Sequence, residues 1–121
     1  MNQISQETLT IVTTGGDGAA TGSAATIPIN GFLLDVFLDY NAAAPATTDV
    51  TISDSVFGNL LVKSNNATDV WLAPRKQTCD GVAADSGLYD LIPVHGSLTV
   101  SVAQANALSP CVTVMLRWLE Q

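Results

Sequence analysis

The chain has 121 residues, 47% of them hydrophobic and only 12% charged, with eleven acids against four bases for a formal net charge of −7. Surface scaling gives roughly 6,200 Å² folded against roughly 18,300 Å² unfolded, which leaves room for a real core and argues against disorder. No apolar run approaches the length of a membrane helix, the segment from Met1 to Glu7 lacks the features of a signal peptide, and the sequence isoelectric point near 4.1 repels phosphate backbones. A protein made in the cytoplasm, with neither nucleic acid nor membrane as a partner, is expected.

Along the chain the dominant signal is an alternation of period two, the mark of half-buried strands. Residues 1–8 are polar and read as a flexible N-terminal arm. Residues 9–13 and 24–27 follow as short strands, separated by the turn Gly15-Gly16-Asp17-Gly18. The strongest pattern covers residues 31–40, where Phe32, Leu34, Val36, Leu38 and Tyr40 form one apolar face and Asp35 and Asp39 fall on the other. That second face also carries Leu33 and Phe37, so a sheet edge, a loop or a partner subunit is expected to cover it. Ala42, Ala43 and Ala44 run into Pro45 and read as a turn.

Strands are expected over residues 49–53, 59–63 and 70–72, with a candidate ninth over 88–92. The longest irregular stretch, 74–96, holds Arg75, Lys76, Cys79 and Tyr89; a functional loop and a surface excursion with a short edge strand explain it equally well. Residues 98–102 and 112–118 alternate cleanly, and 103–108 between them fits one helical turn. Eight short strands with turns between them predict a single all-β domain over 1–121, a jelly-roll-like sandwich or barrel. Trp71 precedes both cysteines, which excludes the immunoglobulin pattern.

Signatures of catalysis fail in turn. His95 is the only histidine, so no site can use two imidazoles and a nucleophile has one candidate base; its place between Pro93 and Gly96 suits a turn. Cys79 and Cys111 are too few for a disulfide framework and are expected as thiols. Asp35 and Asp39 lie about 13 Å apart along a strand, beyond the reach of paired glycosidase carboxylates. Asp80, Asp85 and Asp90 lack the spacing of a calcium loop. No enzyme, cofactor or metal is expected. Trp118 ends an alternating strand and suits the core, whereas Trp71, close to Pro74 and Arg75, suits a core and an interface equally.

Three segments carry a family likeness: Pro45-Ala46-Thr47-Thr48-Asp49-Val50-Thr51-Ile52-Ser53-Asp54, residues 71–75, and Ile92-Pro93-Val94-His95-Gly96-Ser97-Leu98-Thr99-Val100-Ser101-Val102, continuing to Ala107. With them the chain resembles small head-decoration (cement) proteins of tailed bacteriophages, β domains added to the outside of an assembled capsid. The resemblance implies a structural virion protein on the outer capsid surface, bound to the major capsid protein and self-associating, as a homotrimer in preference to a homodimer. Trp71, Pro74, Arg75, Leu33 and Phe37 are the candidate interface residues, and the 1–8 arm is a candidate added strand. The alternative is a receptor- or carbohydrate-binding module of a phage fibre, with Trp71 or Tyr89 as stacking platform.

Overall fold

The computed structural model describes residues 3–79, 81 and 84–121, apart from the side chains of Cys79, Ala84, Asp85 and Ser86. It contains β1 (Ile4–Ile11), β2 (Ala20–Ala25), β3 (Ile29–Tyr40), β4 (Asp49–Asp54), β5 (Gly58–Lys63) and β6 (Val70–Leu72). There follow β7 (Lys76–Cys79), β8 (Ala84–Asp90), β9 (Ile92–Gly96), β10 (Leu98–Ala105) and β11 (Val112–Glu120). One sheet has the order β1-β11-β3-β6, with β9 also on β3; the other runs β2-β10-β4-β5; β7 and β8 form a separate ribbon.

With β7, β8 and β9 set aside, the antiparallel pairs β1·β11, β2·β10, β3·β6 and β4·β5 are successive rungs of one ribbon folded back at the β4–β5 turn. Rolling that ribbon lays β3 beside β11 and β4 beside β10. This is the jelly roll, the all-β architecture expected from the alternation. Val36, Leu38, Val114, Leu116 and Trp118 from one sheet meet Val50, Ile52, Val100 and Val102 from the other in a single buried cluster. Each fully buried aliphatic side chain contributes about 1.5–3 kcal/mol, so this cluster is the main source of stability. The accessible surface of 6688 Å² is near the value expected from mass.

Three expectations are corrected by backbone pairing. The polar segment proposed as an arm is, from Ile4 onward, the first half of β1, and its main chain pairs with β11 from Ile4↔Leu119 to Ile11↔Val112. Pairing satisfies the main chain whatever the side chains are, so the polarity of Ser5, Gln6 and Glu7 reports an edge and not a free end. The segment 103–108 is not helical: β10 continues to Ala105, paired as Ala103↔Asp49 and Ala105↔Ala20, with Gln104 at a positive φ of 51° in a register shift. Sheet pairing there overrides the helical preference of alanine.

The third correction concerns β3. Along β11, Arg117 pairs with Asp35 but the next residue, Trp118, pairs with Leu33, which leaves Leu34 as the extra residue of a β-bulge. The alternation therefore changes phase, and the inward set is Ile29, Leu33, Val36, Leu38 and Tyr40, with Phe32 and Leu34 only half buried. Leu33, expected on the outer face as an interface residue, is fully enclosed. The Arg75 guanidinium donates from Nη1 to the Leu34 carbonyl at 2.9 Å, so the backbone group freed by the bulge is satisfied.

The β1/β2 side of the sandwich is stitched shut. Buried Thr13 donates to the Asn106 carbonyl at 2.6 Å and accepts from Leu108 N–H at 3.0 Å, and Thr26 accepts from Leu98 N–H at 2.9 Å. Gly31 lies where β3 passes close to β11, so that an added Cβ would stand 1.9 Å from the Leu119 carbonyl oxygen. The Tyr40 hydroxyl is enclosed and burial raises its pKa; Asn66 is near enough to oppose that push, but no contact has hydrogen-bond geometry among the described residues, so the hydroxyl is unpaired. Gly31→Ala is expected to lower stability by about 1–3 kcal/mol, as overpacking does, read as a lower urea midpoint at unchanged slope. Tyr40→Phe, which removes only an unpaired hydroxyl, is expected to leave the midpoint unchanged or raise it.

Candidate docking surface

The bulge decides what β3 shows on its outer face. With Leu33 and Val36 both turned inward, Asp35 and Phe37 are both turned outward, and strand register places them in two cross-strand rows. Phe37 stands opposite Met115 of β11 on one side and Trp71 of β6 on the other. The neighbouring row sets Asp35 opposite Arg117, which is itself opposite Gln6 of β1. Directly opposed residues in antiparallel strands bring side chains within contact, so the face carries an apolar row beside a polar one. Together these six side chains line a shallow hollow of about 190 Å³.

Asp35 and Arg117 form a two-pronged ion pair, Nε to Oδ1 at 2.7 Å and Nη2 to Oδ2. Arg117 holds the Asp35 carboxyl below the usual carboxylate range; burial opposes that, and the Trp71 indole N–H adds a smaller pull in the same direction. The pair fixes one side of the hollow against which the Trp71 ring lies, while 67% of Trp71 remains exposed. A large aromatic, held from beneath and open above, has the form of an interface anchor.

The five candidate residues thus separate. Trp71 and Phe37 lie together on the outer face, Trp71 exposed and Phe37 half buried. Leu33 is in the core, and Pro74 is buried as well, its carbonyl accepting from Arg75 Nη1 at 2.8 Å. Proline has no N–H to satisfy, so it can be enclosed there at little cost, and its position beside an exposed tryptophan does not bring it to the surface. Arg75 is exposed, but its first role is to hold the bulge carbonyl. Met115 and the Asp35–Arg117 pair complete the face and were not apparent from the sequence, because partners 82 residues apart are joined only by register.

A second recess lies on the open side of the sandwich, a cleft of about 560 Å³ between β5, β7, β8 and β9. Leu60 and Ile92 line it together with Phe57 and Tyr89, which are 82% and 60% exposed. Phe57 occupies the β4–β5 turn, where the one available signal was an aromatic in a place usually given to polar residues. Cys111 is a free, buried thiol, and His95 is an exposed residue of β9. Among the described residues no group of three or more His, Cys, Asp or Glu is placed to hold a metal ion. Asp80 and the side chains of Cys79 and Asp85 lie outside what the structure describes. Among the described residues no helix is long and apolar enough to cross a membrane.

These features define a two-sheet β protein with an aromatic surface patch and a mixed cleft. No family model matches the chain, and no curated protein matches it. Among solved structures it is similar to the extra small virus of the giant freshwater prawn Macrobrachium rosenbergii in its virus-like particle, at 12% identity and a TM-score of 0.37, over 99% of this chain and 80% of that one. It is also similar to a family two carbohydrate esterase from Cellvibrio japonicus, at 14% identity and a TM-score of 0.40; the match takes in 98% of this chain but only 35% of the esterase. A variant of a family 29 carbohydrate-binding module matches at 8% identity and a TM-score of 0.33, over 96% of this chain and 79% of the module.

The ion pair gives a measurable signature. A carboxyl whose folded pKa lies below its unfolded value adds stability above the unfolded value, about 3.9 for aspartate, and that contribution is lost as pH falls through the folded value. The melting temperature of Asp35→Asn is therefore expected to lie below that of the parent at neutral pH, with the gap narrowing below about pH 4. A gap constant from neutral pH into that acid range would mean that the pair contributes nothing pH-dependent.

Proposed function

We propose that this chain is a head-decoration, or cement, protein of a tailed bacteriophage. It attaches to the outside of the assembled capsid through the outer face of the β1-β11-β3-β6 sheet and stiffens the lattice without catalysing a reaction. The observation that carries this reading is the exposed Trp71, in register with Phe37 and Met115 and backed by the Asp35–Arg117 pair. Binding to a rigid lattice favours a patch ordered before contact, because less side-chain freedom is then lost on docking. The sequence likeness over residues 45–54, 71–75 and 92–107 supports the same reading. So does the net charge of −7, which keeps an outward surface soluble and clear of packaged nucleic acid.

The partner in this reading is the major capsid protein, and the chain itself associates as a homotrimer suited to threefold lattice positions. It is made in the host cytoplasm and ends on the virion surface. Purified protein mixed with bare expanded capsids is expected to bind saturably and to raise their resistance to heat. Trp71→Ala is expected to weaken attachment by about 2 kcal/mol, roughly thirtyfold in Kd, with the melting temperature of the free protein unchanged. Light scattering of the protein alone is expected to give three times the 12.6 kDa chain mass. Absence of capsid binding would overturn the proposal.

A further inference from the structure

We propose that the cleft on the open side of the sandwich binds a saccharide bearing carboxylate groups. Its volume of about 560 Å³ is in the ordinary range for a small-ligand site, roughly 300–1,000 Å³, whereas the hollow beside Trp71 holds about 190 Å³. Phe57 and Tyr89 come to it from separate elements, the β4–β5 turn and β8, and both residues are largely exposed. An aromatic face carries negative charge density and attracts the C–H faces of a pyranose ring, so exposed rings around a mixed cleft suit a sugar better than a purely apolar guest. Asn59 adds an exposed carboxamide able both to donate and to accept.

Charge selects among sugars. Two of the four bases of a chain with net charge −7, Arg75 and Lys76, line this one cleft. Among the described residues neither is within ion-pair distance of a carboxylate; Asp90 stands opposite Lys76 in the ribbon register, and the two also line an adjacent hollow together. The cleft's own acid, Asp54, accepts at Oδ1 from the N–H groups of Val56 at 2.8 Å and Phe57 at 3.1 Å. It thereby shapes the turn that presents Phe57. The remaining positive charge beside two rings matches a uronic acid polymer, whose carboxylates lie at the ring edge and leave the ring faces free to stack.

The cleft shares no lining residue with the hollow of the capsid-docking face, so a change at Phe57 or Tyr89 is expected to leave capsid attachment intact. Amide chemical shifts followed during titration with tetragalacturonate, and with uncharged maltotetraose for comparison, provide the test. Tetragalacturonate is expected to shift Asn59, Gln77 and Tyr89 saturably and to bind at least about tenfold more tightly than maltotetraose. Tyr89→Ala and Phe57→Ala, both at exposed positions, are each expected to weaken binding about tenfold with unchanged melting temperature. Lys76→Ala is expected to reduce the affinity for tetragalacturonate and its salt dependence, without changing that for maltotetraose. Tyr89→Ala is expected to attach to capsids like the parent. No saturable shift, shifts confined to the Trp71 face, equal affinity for the two probes, or binding indifferent to Tyr89→Ala would each overturn the proposal.

Discussion

The parity of β3 governs the rest of this molecule. A strand presents alternate residues to opposite faces, so a strand that must feed a continuous core has no freedom of phase unless a residue is added. Leu34 is that residue. N-terminal to it, β3 pairs with β9 and fills the core with Ile29 and Leu33; C-terminal to it, β3 pairs with β6 and fills the core with Val36, Leu38 and Tyr40. One strand thus serves two edge partners, and the step between them is the bulge capped by Arg75.

The outer surface follows from the same step. Because Asp35 and Phe37 fall outside, β11 meets them with Arg117 and Met115, and the short strand β6 adds Trp71 to the end of the row. The ion pair and the aromatic patch are consequently parts of one arrangement. An exposed tryptophan on a three-residue edge strand would otherwise be free to lie flat or swing away; here the hollow beside Phe37 and Asp35 gives its ring a fixed seat. Conversely, the cleft forms where β5 and β9 do not meet, on the side opposite the stitched β1/β2 seam.

Much of this was legible in the sequence. The alternation in β4, β10 and β11 is clean because each is bounded by turn residues and has one apolar face, and β6 occupies residues 70–72 as expected. Trp118 is core, as its place in an alternating strand implied. The phase change in β3 was hidden by Phe32-Leu33-Leu34, an apolar triplet that satisfies either parity, and the misplacement of Leu33 follows from it. The polar half of β1 concealed a strand for a different reason, since its pairing with β11 is a property of the main chain. The β7–β8 ribbon and β9 raise the strand number from the expected eight to eleven among the described residues; the candidate ninth strand over 88–92 falls across the end of β8 and the start of β9, where Ile92 and Val94 alternate inward, whereas Lys76, Gln77 and Thr78 of β7 carry no hydrophobic period. On the surface, Phe37 was identified and Trp71 left between two roles, because neither exposure nor register can be read from one strand alone.

The rolled ribbon also dictates an order of events during biosynthesis. β1 finds its partner only in residues 112–120, and β2 finds its own only in residues 98–105. A ribosome-bound chain lacking its last quarter therefore holds β1, β2 and half of the core without the strands that complete them. Nearly every rung joins distant parts of the chain, and such non-local topologies gain their stabilising contacts only after the entropy of closing long loops has been lost. The sandwich therefore closes only once residues 98–120 are present, and the polar residues of β1 keep its unpaired edge soluble through the interval in which it waits.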